Sequence, residues 1–318
     1  MARGPRDARG DRPRRNAIRH DGQCQGHSPL LRGDTGLDGP ACLFADGRGS
    51  GDSGAKDLGG CASGFEVNTE GEANTQFHGF VSIWAKIEGL FTNWPAFTNG
   101  NGVGFYDANG NVAVNSPENI ATTQYMVDLL HTYHYAPDSI LSMKPDDART
   151  LFQQGRAAFL MVQDFVYAPL NAADSPVAGK VDFTRIPYFA AHPDAHSTAM
   201  GGWFLGINPN SEHKEAPAKF LSFFAGYDQE LAATVEDSRA PTLPAVYTDP
   251  AMAKAAVLTK LGEDFKFGVV RPSATTGNKY PKVSEIMQLA ITNALHLEKP
   301  VKQAPDAAQS EIEALLSD

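Results

Sequence analysis

The sequence predicts an α/β protein, and three observations lead to this fold class. Short runs of β-branched and aromatic residues alternate with longer stretches in which apolar residues recur at helical spacing. Proline and glycine mark the boundaries between these segments. The chain has 318 residues, of which 42% are apolar and 20% charged, and this suits one large or two smaller globular domains.

The composition changes sharply at about residue 62. Residues 1–62 hold nine of the 14 arginines, 13 of the 30 glycines and all three cysteines, and they carry a formal charge of +2, whereas the rest carries −12. Because this first part has no sustained apolar periodicity, we expect a disordered leader without a fold of its own. Its cysteines (Cys24, Cys42 and Cys61) do not have the spacing of zinc ligands, so no metal is predicted.

Charge and motifs argue against several function classes. A net charge of −10 disfavours a nucleic-acid-binding protein, and no stretch has the roughly 18 apolar residues of a membrane-spanning helix. Neither a glycine-rich nucleotide-binding motif nor a nucleophile elbow is found, so we predict no cofactor and no catalysis. The basic start is not followed by the apolar core of an export signal, which would leave the chain as written in the cytoplasm.

Local patterns predict the elements after residue 63. Ser116 and Pro117 are a typical cap and first residue of a helix, while the helix over 88–97 is expected to stop near Pro95. A D-x-N-G turn predicts a hairpin over 105–114. Further helices are predicted at 146–154, 215–224, 228–235, 250–261, 283–297 and 306–316, and strands at 77–83, 157–162, 181–188 and 202–207.

A series of blocks resembles a known family in both sequence and order. The blocks are FHGFVSIWAKIEGLFTNWPAF, SPENIATTQYMVDLL, LFQQGRAAFLMVQDFVYAPL, KVDFTRIPYF, AMGGWFLGINPNSEHKEAPAKFLSFF, RAPTLPAVYTDP and VVRPSATTGNKYPKVSEIMQLAI. From about residue 66 onward the chain resembles the carbohydrate-binding solute-binding proteins of bacterial ABC importers. The GGW-LGIN and RP…Y…VSEIMQ stretches are most similar to the maltose/trehalose type.

The resemblance implies a periplasmic-binding-protein-like fold of type II, in which two α/β lobes close on a ligand like a clamp. Residues 63–204 and 251–318 are expected to form the second lobe, largely present. Residues 205–250 would be a returning piece of a first lobe that is mostly missing. We interpret residues 1–62 as a leader translated out of the ancestral frame.

A consequence is expected for the helix predicted over 215–224. Without a first-lobe sheet to cover it, this helix would expose Phe220, Leu221 and Phe224. For the same reason, we expect weak or no ligand binding by the chain as written.

The resemblance also implies which residues bind sugar. Glu88 is similar to a cleft glutamate, although Ile87 replaces the tyrosine usual before it, and Arg271 is similar to a cleft arginine. Aromatic rings stack on pyranose faces, and charged groups hydrogen-bond to hydroxyls. Glu88 could instead be an exposed first-turn glutamate, and the aromatic residues could be core residues. The predicted ligand-binding residues are Glu88, Phe165, Gly201, Gly202, Trp203 and Arg271, with Trp94 and Tyr167 ranked lower.

The function implied by the resemblance is the sugar-binding component of an ABC importer. It would act as a monomer in the periplasm or at the cell surface and deliver its ligand to the permease. Two alternatives stay open. One is a remnant that binds nothing because the opposing cleft wall is absent. The other is a glycan-acting enzyme that uses Glu88 and Asp164.

Overall fold

Helices and strands alternate along the chain, which confirms the predicted α/β class. The computed structural model describes residues 31–32, 41–45, 77–186, 188–189, 192, 195, 198–202 and 204–317. The strands are β1 (Leu31–Arg32), β2 (Ala41–Ala45), β3 (His78–Ser82), β4 (Ala157–Met161), β5 (Val181–Arg185), β6 (Tyr188–Phe189), β7 (Thr198–Met200) and β8 (Gly268–Val270). The α-helices are α1 (Glu88–Gly100), α2 (Pro117–His131), α3 (Pro145–Gln153), α4 (Tyr167–Leu170), α5 (Glu215–Phe224), α6 (Tyr227–Asp237), α7 (Ala256–Asp264), α8 (Ser273–Thr276), α9 (Tyr280–Leu295) and α10 (Gln303–Ser317).

Four strands form the largest sheet, in the order β3-β4-β2-β5. β3 and β4 are parallel, and β2 pairs antiparallel with both β4 and β5. β1 pairs with β6. Since β1 and β2 come from residues 1–62, the expectation of a leader without secondary structure does not hold for these seven residues. The run ACLFA of β2 is apolar throughout, as suits a strand with neighbours on both sides.

The hydrophobic core lies between this sheet and the helices. α1, α2 and α9 pack against one another, α10 packs on α9, and α3 packs on β3 and β4. The largest fully buried side chains are aromatic. One of them, Phe80 of β3, contacts the rings of Trp84 and Phe97 at centroid distances of 5.8 and 6.2 Å. These contacts fix the position of α1 relative to the sheet.

α2 begins as its sequence predicts. Ser116 Oγ accepts a hydrogen bond from the Asn119 backbone N–H at 3.2 Å, and Pro117 occupies the first turn, where its missing N–H costs nothing. The predicted hairpin is reduced to a single antiparallel bridge between Tyr106 and Val112. Its turn is closed by Asp107, whose Oδ1 accepts backbone hydrogen bonds from the turn.

α1 continues past Pro95, where we predicted its end. A proline inside a helix removes one backbone hydrogen bond. The residues on both sides, Trp94 and Phe97, are buried in the core, and Asn99 Nδ2 donates to the Pro95 carbonyl oxygen at 2.7 Å. Burial of this helix face outweighs the missing bond.

The strand predicted over 202–207 is not formed. Residues 204–208 have no regular structure, and the Phe204 side chain is 95% exposed. A strand needs a neighbour for its backbone groups, and none of the described strands lies beside this segment. The regular strand is instead β7, just before it, which pairs in parallel with β8. β8 was not predicted from the sequence.

α5 presents an apolar surface to solvent. None of its residues is buried, and Phe220 and Phe224 are 55% and 48% exposed, with their rings stacked at a centroid distance of 5.7 Å. The expected exposure of these two phenylalanines is confirmed, whereas Leu221 is only partly exposed. Within the described ranges, no helix combines the length and the apolar character needed to cross a bilayer.

Candidate functional site

Glu88 is the first residue of α1, so its carboxylate lies at the positive end of the helix dipole. The preceding residue, Ile87, is extended and supplies no capping side chain. Asn93 Nδ2 of α1 donates to Ser82 Oγ at 2.8 Å and to the Ile83 carbonyl oxygen at 3.1 Å, which holds the helix close to the end of β3. The sequence therefore places a carboxylate at the helix terminus, with 42% of the side chain exposed.

The parallel pair β7 and β8 brings two more predicted residues together. Met200 lies opposite Val270, so the next residue of each strand, Gly201 and Arg271, leaves the pair at the same edge. A Cβ atom on Gly201 would lie 3.3 Å from Arg271 Nη2. The missing side chain lets the guanidinium lie close to the backbone.

Arg271 and Glu88 form an ion pair between Nη1 and Oε1. The two residues are 183 positions apart in the sequence, and the arginine side chain is 23% exposed. Three of the predicted site residues, Glu88, Gly201 and Arg271, therefore meet at one partly exposed position. A carboxylate and a guanidinium offer the acceptors and donors that a polyhydroxylated ligand requires.

Three residues of α9 complete this cluster, and the sequence analysis did not identify them. Tyr280 Oη donates to Glu88 Oε1, and Ser284 Oγ donates to Glu88 Oε2. Gln288 Nε2 donates to Ser284 Oγ at 2.9 Å. Their spacing of four residues places the three polar groups on one face of α9, and this is the signal that could have revealed them.

The environment of Tyr280 keeps it a hydrogen-bond donor. Burial raises the pKa of its hydroxyl well above the ordinary value, and the hydrogen bond to Glu88 raises it further, whereas the positive charge of Arg271 opposes the shift. Tyr280 is therefore protonated throughout the neutral range.

Trp94 lies in the core. Its side chain is buried, and its indole N–H donates to Thr123 Oγ1 at 3.2 Å. The surroundings are those of a packing residue, so we do not include Trp94 in the proposed site.

Phe165 and Tyr167 belong to a second group, in the turn and short helix that follow β4. Phe165 is exposed and Tyr167 is half-buried against the core. The neighbouring Asp164 accepts a hydrogen bond from the Ala240 backbone N–H at 2.7 Å. Gly202 is exposed, and Trp203 lies outside the described residues.

The histidines and carboxylates of the described ranges form no group of three or more that could hold a metal ion. His131 instead makes a structural contact, in which its Nε2 lies 2.7 Å from the Leu295 carbonyl oxygen.

Comparison with solved structures identifies the fold. The maltose-bound MalE3 of T. maritima is 26% identical, with a TM-score of 0.72 over 88% of this chain and 72% of that one. The GacH receptor of Streptomyces glaucescens, solved unliganded and with acarbose, is 18% identical, with a TM-score of 0.70 over 91% of this chain and 71% of that one. These likenesses confirm the periplasmic-binding-protein-like fold.

Sequence comparison leads to the same family. A probable ABC transporter-binding protein of Deinococcus radiodurans is 29% identical over 253 residues, which are 78% of this chain and 58% of that protein. The chain thus spans little more than half the length of this relative. The family model described as bacterial extracellular solute-binding protein matches residues 78–230. The family and these relatives are solute-binding proteins, not enzymes. The resemblance seen in the sequence is confirmed: over residues 78–230 the chain is similar to the bacterial extracellular solute-binding proteins.

Proposed function

We propose that this chain binds a small oligosaccharide of the maltose or trehalose type and delivers it, as a monomer outside the cytoplasmic membrane, to an ABC permease. The observation that carries the proposal is the partly exposed Glu88–Arg271 ion pair beside Gly201. The guanidinium of such a pair can donate charge-assisted hydrogen bonds to sugar hydroxyls.

Related proteins support a sugar as the ligand. The T. maritima structure contains maltose, and the Streptomyces receptor binds acarbose. A Bacillus subtilis protein that is 23% identical over 40% of this chain is an arabinooligosaccharide-binding protein. We infer that Gly202, Phe165, Tyr167 and Trp203 contribute to the same function, with the aromatic rings stacking on the apolar faces of the sugar.

A second candidate function is favoured by the exposed face of α5. Large apolar side chains at Phe220 and Phe224 form a surface that a solute-binding protein would cover. If this face must be covered before the site is complete, the chain alone binds no sugar. If the site binds sugar while this face is exposed, we expect the affinity to be weak, with a Kd of about 1 mM or above.

Saturation-transfer NMR on the full chain separates the two candidates, because it detects binding in the millimolar range. Maltose and trehalose should receive magnetisation from the protein, and mannitol, which lacks a glycosidic bond, serves as the matched control. If the folded protein transfers magnetisation to neither disaccharide, the second candidate, a chain that binds no sugar, is favoured. Equal transfer to mannitol would contradict the proposed ligand type.

A further inference from the structure

The Glu88 carboxylate is engaged by protein donors on both oxygens. Oε1 accepts hydrogen bonds from Arg271 and Tyr280, and Oε2 accepts one from Ser284, with Gln288 Nε2 3.4 Å away. A carboxylate has about four positions at which it accepts hydrogen bonds. At least three of these are filled before a ligand arrives, so little capacity is left for sugar hydroxyls.

The donors from α9 are themselves held in place. Ser284 is buried, donates to Glu88 and accepts from Gln288, so its hydroxyl has a defined direction. Hydrogen bonds in such a chain polarise and strengthen one another. Tyr280 is fixed by stacking on Phe91 of α1, at a centroid distance of 6.4 Å. The carboxylate therefore has one preferred orientation.

Arg271, unlike Glu88, has hydrogen-bonding groups that the ion pair does not use. Its guanidinium has five N–H donors, and the ion pair with Glu88 uses the Nη1 group. Nη2 lies beside Gly201, whose missing side chain leaves room at this edge of β7 and β8. The planar guanidinium is well suited to donate to neighbouring hydroxyls once its orientation is fixed.

We propose that Glu88 is a positioning residue, which orients Arg271 for the ligand, and that Tyr280, Ser284 and Gln288 are the support that holds Glu88. Arg271 is then the member of this cluster that contacts the sugar. This inference rests on the proposed function, and it replaces the expected role of Glu88 as a direct sugar ligand.

A double-mutant cycle with maltose as the probe tests the indirect role of Glu88. Glu88→Gln should weaken maltose binding about tenfold in the wild-type background but less than about twofold in the Arg271→Ala background, because effects exerted through one residue are not additive. Affinities are measured by NMR titration of the full chain. An equal loss in both backgrounds would show that Glu88 contacts the ligand itself and would overturn the proposal.

The role of α9 is tested at Ser284, which is buried and touches Glu88. Ser284→Ala should weaken binding about threefold, and Ser284→Thr, which keeps the hydroxyl, should restore most of the loss. Ser310→Ala on the exposed face of α10 is the matched control and should change nothing. Unchanged affinity in a folded Ser284→Ala protein would contradict the supporting role of α9.

A measurement without sugar keeps this inference separate from the proposed function. The side-chain NMR signal of Arg271, assigned by its loss in Arg271→Ala, should report hindered guanidinium rotation in the wild type and faster rotation in Glu88→Gln and Ser284→Ala. The rotation measurement tests the positioning role of Glu88 even if maltose does not bind, or if Arg271→Ala leaves no measurable affinity. Equal mobility in all three proteins would overturn the positioning role, whatever the fate of the sugar proposal.

Discussion

At the level of single residues, the Glu88–Arg271 ion pair holds the candidate site together, because it joins the start of α1 to the end of β8. Glu88 and Arg271 are 183 positions apart, and no local pattern joins them. Trp94 was predicted, at a lower rank, to bind the ligand. No local sequence pattern distinguishes an aromatic residue that contacts a ligand from one that packs in a core. Its burial and its hydrogen bond to Thr123 make it a packing residue.

Trp94→Phe is expected to lower the free energy of unfolding by about 1–2 kcal/mol, since it loses part of the buried ring and one buried hydrogen bond. Maltose affinity should stay unchanged. Urea denaturation and NMR titration measure the two effects. A lost affinity with unchanged stability would make Trp94 a ligand residue after all.

Asp164 gives a prediction about pH. Burial raises the pKa of its carboxyl, against the opposing effects of the Ala240 N–H and of Arg239. A raised folded-state pKa contributes stability below the unfolded pKa, and this contribution is lost as the pH rises through the folded pKa. Asp164→Asn keeps an acceptor for Ala240 but cannot ionise.

We therefore expect Asp164→Asn to become more stable relative to the wild type as the pH is raised from about 4 to about 7. Thermal unfolding at a series of pH values measures the difference. Asp174→Asn, at an exposed position, is the control. A difference that shrinks or stays constant with rising pH would contradict the burial of this carboxyl as its cause.

At the scale of elements, predictions succeeded where the information is local. α2 could be predicted because Ser116 and Pro117 lie at its start, and they do so in the structure. Strands depend on partners that are distant in the sequence. This is why β2 and β8 were missed and why the strand over 202–207 was predicted but is not formed.

The pairing of β7 with β8 depends on Gly268. A Cβ atom at this position would lie 1.9 Å from Met200 Sδ and 2.9 Å from the Phe265 carbonyl oxygen. Gly268→Ala is therefore expected to cost about 1–3 kcal/mol of stability and to disturb the edge that carries Arg271. Gly206→Ala, with no atom within 4 Å of the added carbon, should cost little. Equal stabilities in urea denaturation would contradict this close approach.

The apolar face of α5 should promote self-association. Replacing Phe220 and Phe224 with serine removes stacked, exposed rings, so light scattering should fall while stability is kept. The matched control replaces Leu289 and Leu297, two exposed residues elsewhere, with serine. Equal effects of the two double variants would show that the α5 face has no special role.

At the level of the whole molecule, the chain combines a well-packed α/β body with a candidate site at one edge and an apolar helix, α5, whose face is exposed. The fold class could be predicted from alternating patterns, and the resemblance to solute-binding proteins from the order of the sequence blocks. The support from α9 could not be predicted, because it depends on how α9 packs against α1. We propose that residues 63–204 and 251–318 form one lobe and that residues 205–250 belong to the other.

We propose that sugar binds at the edge that holds Glu88, Gly201 and Arg271. An NMR titration with maltose, to about 50 mM, tests it most directly by following the backbone amides of Gly201, Gly202 and Arg271. We predict saturable shifts at these amides in the wild type and in the control Arg149→Ala, and their loss in Arg271→Ala. No shifts in the folded wild type, or shifts that persist in Arg271→Ala, would contradict the claim.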